Sequence, residues 1–79
     1  MIREDVIYCS QIIVKIAREK GEFVVSKDGS KKVEIVVSVK GEEGFITEKR
    51  EMCFTDFPED VRKEAIDYAK KYYKVKVVR

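Results

Sequence analysis

The sequence predicts a small α+β domain in which helix covers one face of an antiparallel sheet. Three features support this prediction: alternation of hydrophobic residues over 31–40 that only Val36 interrupts, turn residues that separate short β-prone segments, and a well-delimited helix near the C-terminal end. The predicted element order is α-β-β-β-α-β. The alternative is β-β-β-β-α-β, because the first element is ambiguous.

The length and composition indicate a single domain spanning residues 1–79. Hydrophobic residues make up 44% of the chain and charged residues 41%, which is enough apolar material for a folded core. Abundant Lys and Glu with almost no Asn or Gln is typical of thermophile proteins. No signal sequence or membrane-spanning segment is recognisable, so we expect a cytoplasmic protein without a membrane partner.

The first element, residues 4–20, is compatible with a helix or a strand. Its hydrophobic residues recur at helical spacing, acidic residues precede basic ones, and Gly21 suits a helix C-cap. Against a helix, the segment is rich in β-branched residues. The pattern favours the helix, and the strand remains the alternative.

The central segment predicts three strands joined by hairpins. In KKVEIVVSVK, residues 31–40, four hydrophobic side chains alternate with polar ones. We expect FVV, residues 23–25, to pair with this strand through a turn at Asp28-Gly29. A second hairpin loop is predicted at KGEEG, residues 40–44. The third strand, over residues 44–54, has hydrophobic residues on both faces, which predicts a bulge or a twist.

The last helix begins near Pro58, with Thr55 or Asp56 as the capping residue. Residues 74–79 are predicted to form a short strand after it. The hydrophobic face of the helix comprises Val61, Ala65, Tyr68, Ala69 and Tyr72.

The residues for common catalytic chemistry are missing. The sequence contains no His, so it lacks the commonest general base and metal ligand. It also has no phosphate-binding Gly-rich loop, CxxC motif or calcium loop. We therefore predict a protein that is not an enzyme and has no cofactor or metal site. Cys9 and Cys53 are interpreted as separate buried residues, as one disulfide, or as reactive or metal-binding thiols.

A basic segment at the C-terminal end suggests nucleic-acid binding, although the net charge of +2 is too small to indicate it alone. Tyr72 and Tyr73 interrupt this segment and could stack on bases. The candidate contacts, including a set around the first hairpin, are Lys70, Lys71, Lys74, Lys76 and Arg79 with Lys27, Lys31 and Lys32. Alternatively, the lysines complement a helix dipole and protect an edge strand, and Tyr72 belongs to the core.

The element order resembles that of double-stranded-RNA-binding domains. Those domains carry lysines at the start of the second helix, where this chain has Asp56, Glu59 and Asp60, so membership is not predicted. A competing hypothesis is a protein-interaction module or homodimer, in which the C-terminal strand KVKVVR pairs with a strand of a partner.

Overall fold

The computed structural model describes residues 3–79 and confirms the α+β class. The elements are α1 (Glu4–Lys20), β1 (Phe23–Val24), the one-turn helix α2 (Val25–Asp28), β2 (Val33–Gly41), β3 (Gly44–Met52), a 3₁₀ turn (Phe54–Asp56), α3 (Glu59–Tyr72) and β4 (Val77–Val78). Within residues 3–79, no helix is both long and apolar enough to cross a membrane.

The first element is a helix, as the hydrophobic periodicity favoured. It ends at Gly21, which has a positive φ of 89° and donates its N–H to the Ala17 carbonyl at 2.7 Å. Such a left-handed C-cap suits glycine because it has no Cβ. α1 packs against both α3 and β2. Packing on two sides outweighs the β propensity of its Ile and Val residues.

β2 and β3 form the predicted antiparallel hairpin. Their pairing is continuous from Val33 opposite Met52 to Gly41 opposite Gly44, with Glu42 and Glu43 as the loop. The bulge predicted for the third strand is therefore absent. Ile35 and Val37 of β2 are buried against the helices, whereas no residue of β3 is fully buried.

The predicted hairpin at Asp28-Gly29 is wrong. β1 pairs in parallel with β4, and residues 25–28 form a helical turn instead. The Asp28 carboxylate accepts hydrogen bonds from the Val24 N–H at 2.8 Å and the Lys20 ammonium at 2.9 Å. This local pairing holds the helical turn, and Gly29 keeps a negative φ rather than the positive φ of a two-residue hairpin.

α3 begins at Glu59 without the side-chain cap predicted from Thr55 or Asp56. Asp56 instead accepts the Cys53 N–H at 2.7 Å, which stabilises the 3₁₀ turn before the helix. The buried face of α3 consists of Val61, Ala65, Ile66 and Ala69. Its last turn extends beyond the core, so Tyr72, predicted to be buried, is 60% exposed.

Polar side chains of α1 close the outer edge of β2. The Tyr8 hydroxyl accepts the Ser38 N–H at 3.1 Å and donates to the Ser38 carbonyl at 3.2 Å. The Gln11 amide accepts the Val36 N–H at 3.2 Å and donates to its carbonyl at 2.8 Å. One turn further, the Lys15 ammonium donates to the Glu34 carbonyl. These side chains satisfy the central backbone groups that β2 directs away from β3, namely both groups of Val36 and Ser38 and the Glu34 carbonyl.

Candidate nucleic-acid interface

A groove of about 490 Å³ runs between α1 and the start of β2. It brings together two of the predicted lysines, Lys31 and Lys32, with two cationic residues of α1, Lys15 and Arg18. The remaining lining residues are Ile16, Glu19, Val33 and Glu34. Four cations and two carboxylates leave a surplus of positive charge along this groove.

A second groove, of about 210 Å³, continues along α1 toward the end of α3. Lys15 and Arg18 line both grooves, so the two are adjacent. Tyr73 lines this second groove beside Arg18, whose guanidinium carbon lies 5.9 Å from the centre of the Tyr73 ring. The rest of the lining is Ile7, Ser10, Gln11 and Val14.

Tyr73 belongs to a cluster of tyrosines at the end of α3. The half-buried Tyr68 ring lies 4.7 Å from the Tyr72 ring and 6.0 Å from the Tyr73 ring, centre to centre. Tyr73 is 46% exposed, and the Lys71 ammonium stands 5.3 Å above the Tyr72 ring. The anchored cluster presents two partly exposed tyrosine side chains beside cationic groups, and exposed aromatic rings of this kind can stack on bases.

The cationic and tyrosine side chains that line these grooves, together with Lys71 and Tyr72 of the adjoining tyrosine cluster, are here called the basic track. They are Lys15, Arg18, Lys31, Lys32, Lys71, Tyr72 and Tyr73. Lys15 and Arg18 were not among the predicted contacts, because cations near a helix C-terminus were attributed to the helix dipole. Their spacing from Gln11, at i+4 and i+7, placed all three on one helix face and could have revealed them.

Weak ion pairs partly compensate the charge of the track. The Lys31 ammonium lies 3.9 Å from the Glu19 carboxylate, with both side chains exposed. Exposed pairs at this distance contribute little free energy and are screened by salt. A phosphate group can therefore displace Glu19 from Lys31 at small cost.

The other predicted basic residues are not part of the basic track. Lys76 pairs with Glu22 at 3.6 Å, and Arg79 lines a separate cavity of about 180 Å³ on the α3 side. Lys27 is on α2, and Lys70 is exposed in the last turn of α3. Lys74 follows that helix with a positive φ of 54°.

The two cysteines are free thiols, so the disulfide interpretation is not realised in this structure. Cys9 is fully buried in α1, and burial raises its pKa to about 12. A thiol with so high a pKa is protonated at neutral pH and a poor nucleophile. The half-buried Cys53 donates its S–H to the Ser30 carbonyl at 3.2 Å.

Comparisons with known proteins assign no family to the chain. No protein-family model matches it, and no curated protein and no solved structure is significantly similar to it. Across residues 3–79, no three Cys, Asp or Glu side chains are grouped so that they could hold a metal ion.

Proposed function

We propose that this chain is a non-catalytic module that binds single-stranded nucleic acid along the basic track. The observation that carries the proposal is the exposure of Tyr72 and Tyr73 beside cationic side chains. A tyrosine on the hydrophobic face of a helix is expected to be buried. Tyr72 is instead held in place by Tyr68 with its ring accessible.

The track combines the two interactions that single-strand binding uses. Lysine and arginine side chains contact phosphates, and aromatic faces stack on bases, which contributes about 1–3 kcal/mol per base. The tyrosines favour a single strand over a duplex, because bases in a duplex are already stacked on their neighbours. The grooves supply Lys15, Arg18, Lys31 and Lys32 for the phosphates.

The proposal predicts a strong salt dependence. Four phosphate contacts to a single strand give a slope of about −3 for the logarithm of the affinity against the logarithm of salt concentration. Fluorescence anisotropy of a labelled single strand of about 10 nucleotides, between about 50 and 200 mM salt, measures this slope. A duplex of the same length should bind more weakly at each salt concentration.

Two variants and one control test which residues bind. Tyr72→Ala should weaken binding about 5- to 100-fold through lost stacking, without changing the salt slope. Lys32→Glu should weaken binding and also reduce the slope. Lys63→Glu makes the same charge change on α3, on the wall of the separate cavity. Equal losses from Lys32→Glu and Lys63→Glu would reduce the interaction to non-specific attraction and reject the track.

A further inference from the structure

The two edges of the β2–β3 hairpin differ in how their backbone groups are paired. Ser38 and Val36 of β2 point outward to Tyr8 and Gln11 of α1. Their cross-strand partners, Thr47 and Lys49, must therefore direct their own N–H and C=O groups away from β2 on the opposite side. Within residues 3–79, no hydrogen bond reaches this outer edge of β3.

The open edge is long and bears exposed hydrophobic groups. β3 has nine residues, which span about 30 Å. Phe45 is 71% exposed and Ile46 62% exposed. An unpaired edge of this length is a template for a further strand. β4 is a poorer template, because it has two residues and already pairs with β1.

We infer that β3 pairs antiparallel with β3 of a second copy of this chain, about a twofold axis at Lys49. In this register Glu48 lies opposite Arg50 of the second copy, and Ile46 lies opposite Met52. Symmetry makes each of these pairs twice. Opposite charges and matched hydrophobic side chains at directly opposed positions stabilise antiparallel strands.

These four side chains share the face that β2 presents to the core. Arg50 is the cross-strand partner of Ile35, and Glu48 is that of Val37. Arg50 and Glu48 already contact each other within one chain at 2.7 Å. Two copies would therefore form a row of alternating charges in the middle of the shared sheet, with an Ile–Met pair at each end.

Neighbouring registers are less favourable. An axis at Glu48 opposes Glu48 to its own copy and sets Ile46 against Arg50. An axis at Arg50 opposes Arg50 to its own copy and sets Glu48 against Met52. The register centred on Lys49 also has one like-charge pair, between the two Lys49 side chains. Within each chain, the Lys49 ammonium lies 3.9 Å from the Glu34 carboxylate, which reduces the repulsion.

The same pairing explains why assembly stops at two copies. Joining two β3 strands gives a four-stranded sheet whose outer strands are both β2. The outward groups of Val36 and Ser38 and the Glu34 carbonyl are occupied by Gln11, Tyr8 and Lys15 of α1. The middle of each outer edge is therefore blocked to a further strand, and the interface is expected to close on itself as a twofold dimer.

Sedimentation equilibrium of the full chain tests the inference without nucleic acid. The wild-type chain should show a monomer–dimer equilibrium. Glu48→Arg and Arg50→Glu should each weaken the dimer about 10- to 50-fold, because two attractive pairs become repulsive. Lys49→Thr should tighten it, because it removes the repulsion at the axis. Circular dichroism of each variant shows whether the monomer remains folded.

A mixture of the two charge-reversed chains separates contacts between copies from the contact within one chain. The Glu48→Arg chain carries arginine at both positions, and the Arg50→Glu chain carries glutamate at both. Every pair between the two chains of a mixed dimer is therefore attractive. The mixture should regain wild-type dimer affinity, although neither chain regains its internal ion pair. Mixing Lys40→Glu with Glu42→Arg makes the same charge changes near the hairpin loop and should not alter the affinity.

Three results would overturn the inference: a wild-type chain that stays monomeric at millimolar concentration, single variants that dimerise as well as the wild type, or a mixture no better than its components. None of these results bears on the basic track, whose residues lie on α1, at the end of α3 and in the segment before β2.

Discussion

The buried carboxylate of Asp28 gives the sharpest stability prediction. Its side chain is 3% exposed and accepts hydrogen bonds from the Val24 N–H and the Lys20 ammonium. Asp28→Ala leaves the Val24 N–H without this acceptor. The Lys20 side chain is 42% exposed, so its ammonium regains water when the carboxylate is removed.

The magnitude follows from these two losses. A buried N–H without a partner costs about 1–3 kcal/mol, and a half-exposed ion pair contributes about 0–1 kcal/mol. We expect Asp28→Ala to lower the free energy of unfolding by about 2–3 kcal/mol. A chain of this length has about 4–12 kcal/mol in total, so the melting temperature should fall by about 10–20 °C. Asp28→Asn keeps an acceptor for the Val24 N–H and should lose only about 1 kcal/mol.

The pH dependence supplies an internal check. The Lys20 ammonium and the Val24 N–H hold the pKa of Asp28 below its usual value. A lowered folded-state pKa means that the ionised carboxylate stabilises the fold above about pH 4, and that this contribution is lost as the pH falls through the lowered pKa. The stability difference between the wild type and Asp28→Asn should therefore shrink between about pH 7 and pH 3.

Urea denaturation followed by circular dichroism at both pH values measures these differences. The difference between variants cancels the titration of other carboxylates, such as Asp60, whose pKa is lowered by Arg3. An Asp28→Ala chain within about 0.5 kcal/mol of the wild type at neutral pH would refute the reasoning, because that is the range of an ordinary surface substitution.

Three further predictions concern α1, the thiols and the end of α3. Gln11→Ala should lower the free energy of unfolding, measured in urea, by about 0.5–1.5 kcal/mol, because both backbone groups of Val36 lose their partner. An unchanged value would show that water replaces the amide without cost. At about pH 8, iodoacetamide should alkylate Cys53 in the native chain and Cys9 only after unfolding, since burial raises the Cys9 pKa to about 12. Equal alkylation rates of the two thiols in the native chain would contradict this. Lys74→Gly should raise the melting temperature, with about 0.5–1 kcal/mol of added stability, because glycine adopts the positive φ of this position without strain. A loss of stability would show that Lys74 is not strained.

Regular elements could be predicted because their side chains repeat with the period of the structure. The alternation in β2 and the stripe on α1 each reflect contact with one core, and the structure reproduces both. The pairing of β1 with β4 could not be predicted in this way. Two-residue strands carry no periodicity, and Phe23 and Val77 lie far apart in the chain. The hairpin predicted at Asp28-Gly29 was wrong for a related reason. The partner of the Asp28 carboxylate, Lys20, belongs to a different element, and local sequence does not reveal this contact.

The candidate site was only partly visible in the sequence. Lys31, Lys32 and Lys71 were predicted from charge alone. The fold places Lys31 and Lys32 in a groove that Lys15 and Arg18 of α1 also line, whereas Lys71 lies beside the tyrosine cluster. Of the two interpretations of Tyr72, the one that assigned it to the core rested on its continuing the hydrophobic face of α3. The face extends one turn further than the core does, and this can be seen only once α1 and α3 are packed together.

The measurement that tests the proposed function most directly is amide-shift mapping by NMR. Adding an unlabelled single strand of about 10 nucleotides to the isotope-labelled chain, at about 50 mM salt, reports every backbone position at once. We predict shifts that cluster at Lys15, Arg18, Lys31, Lys32 and the tyrosines 72 and 73, and that decrease at about 200 mM salt. Shifts confined to β3, or none with any strand at low salt, would contradict nucleic-acid binding by the basic track.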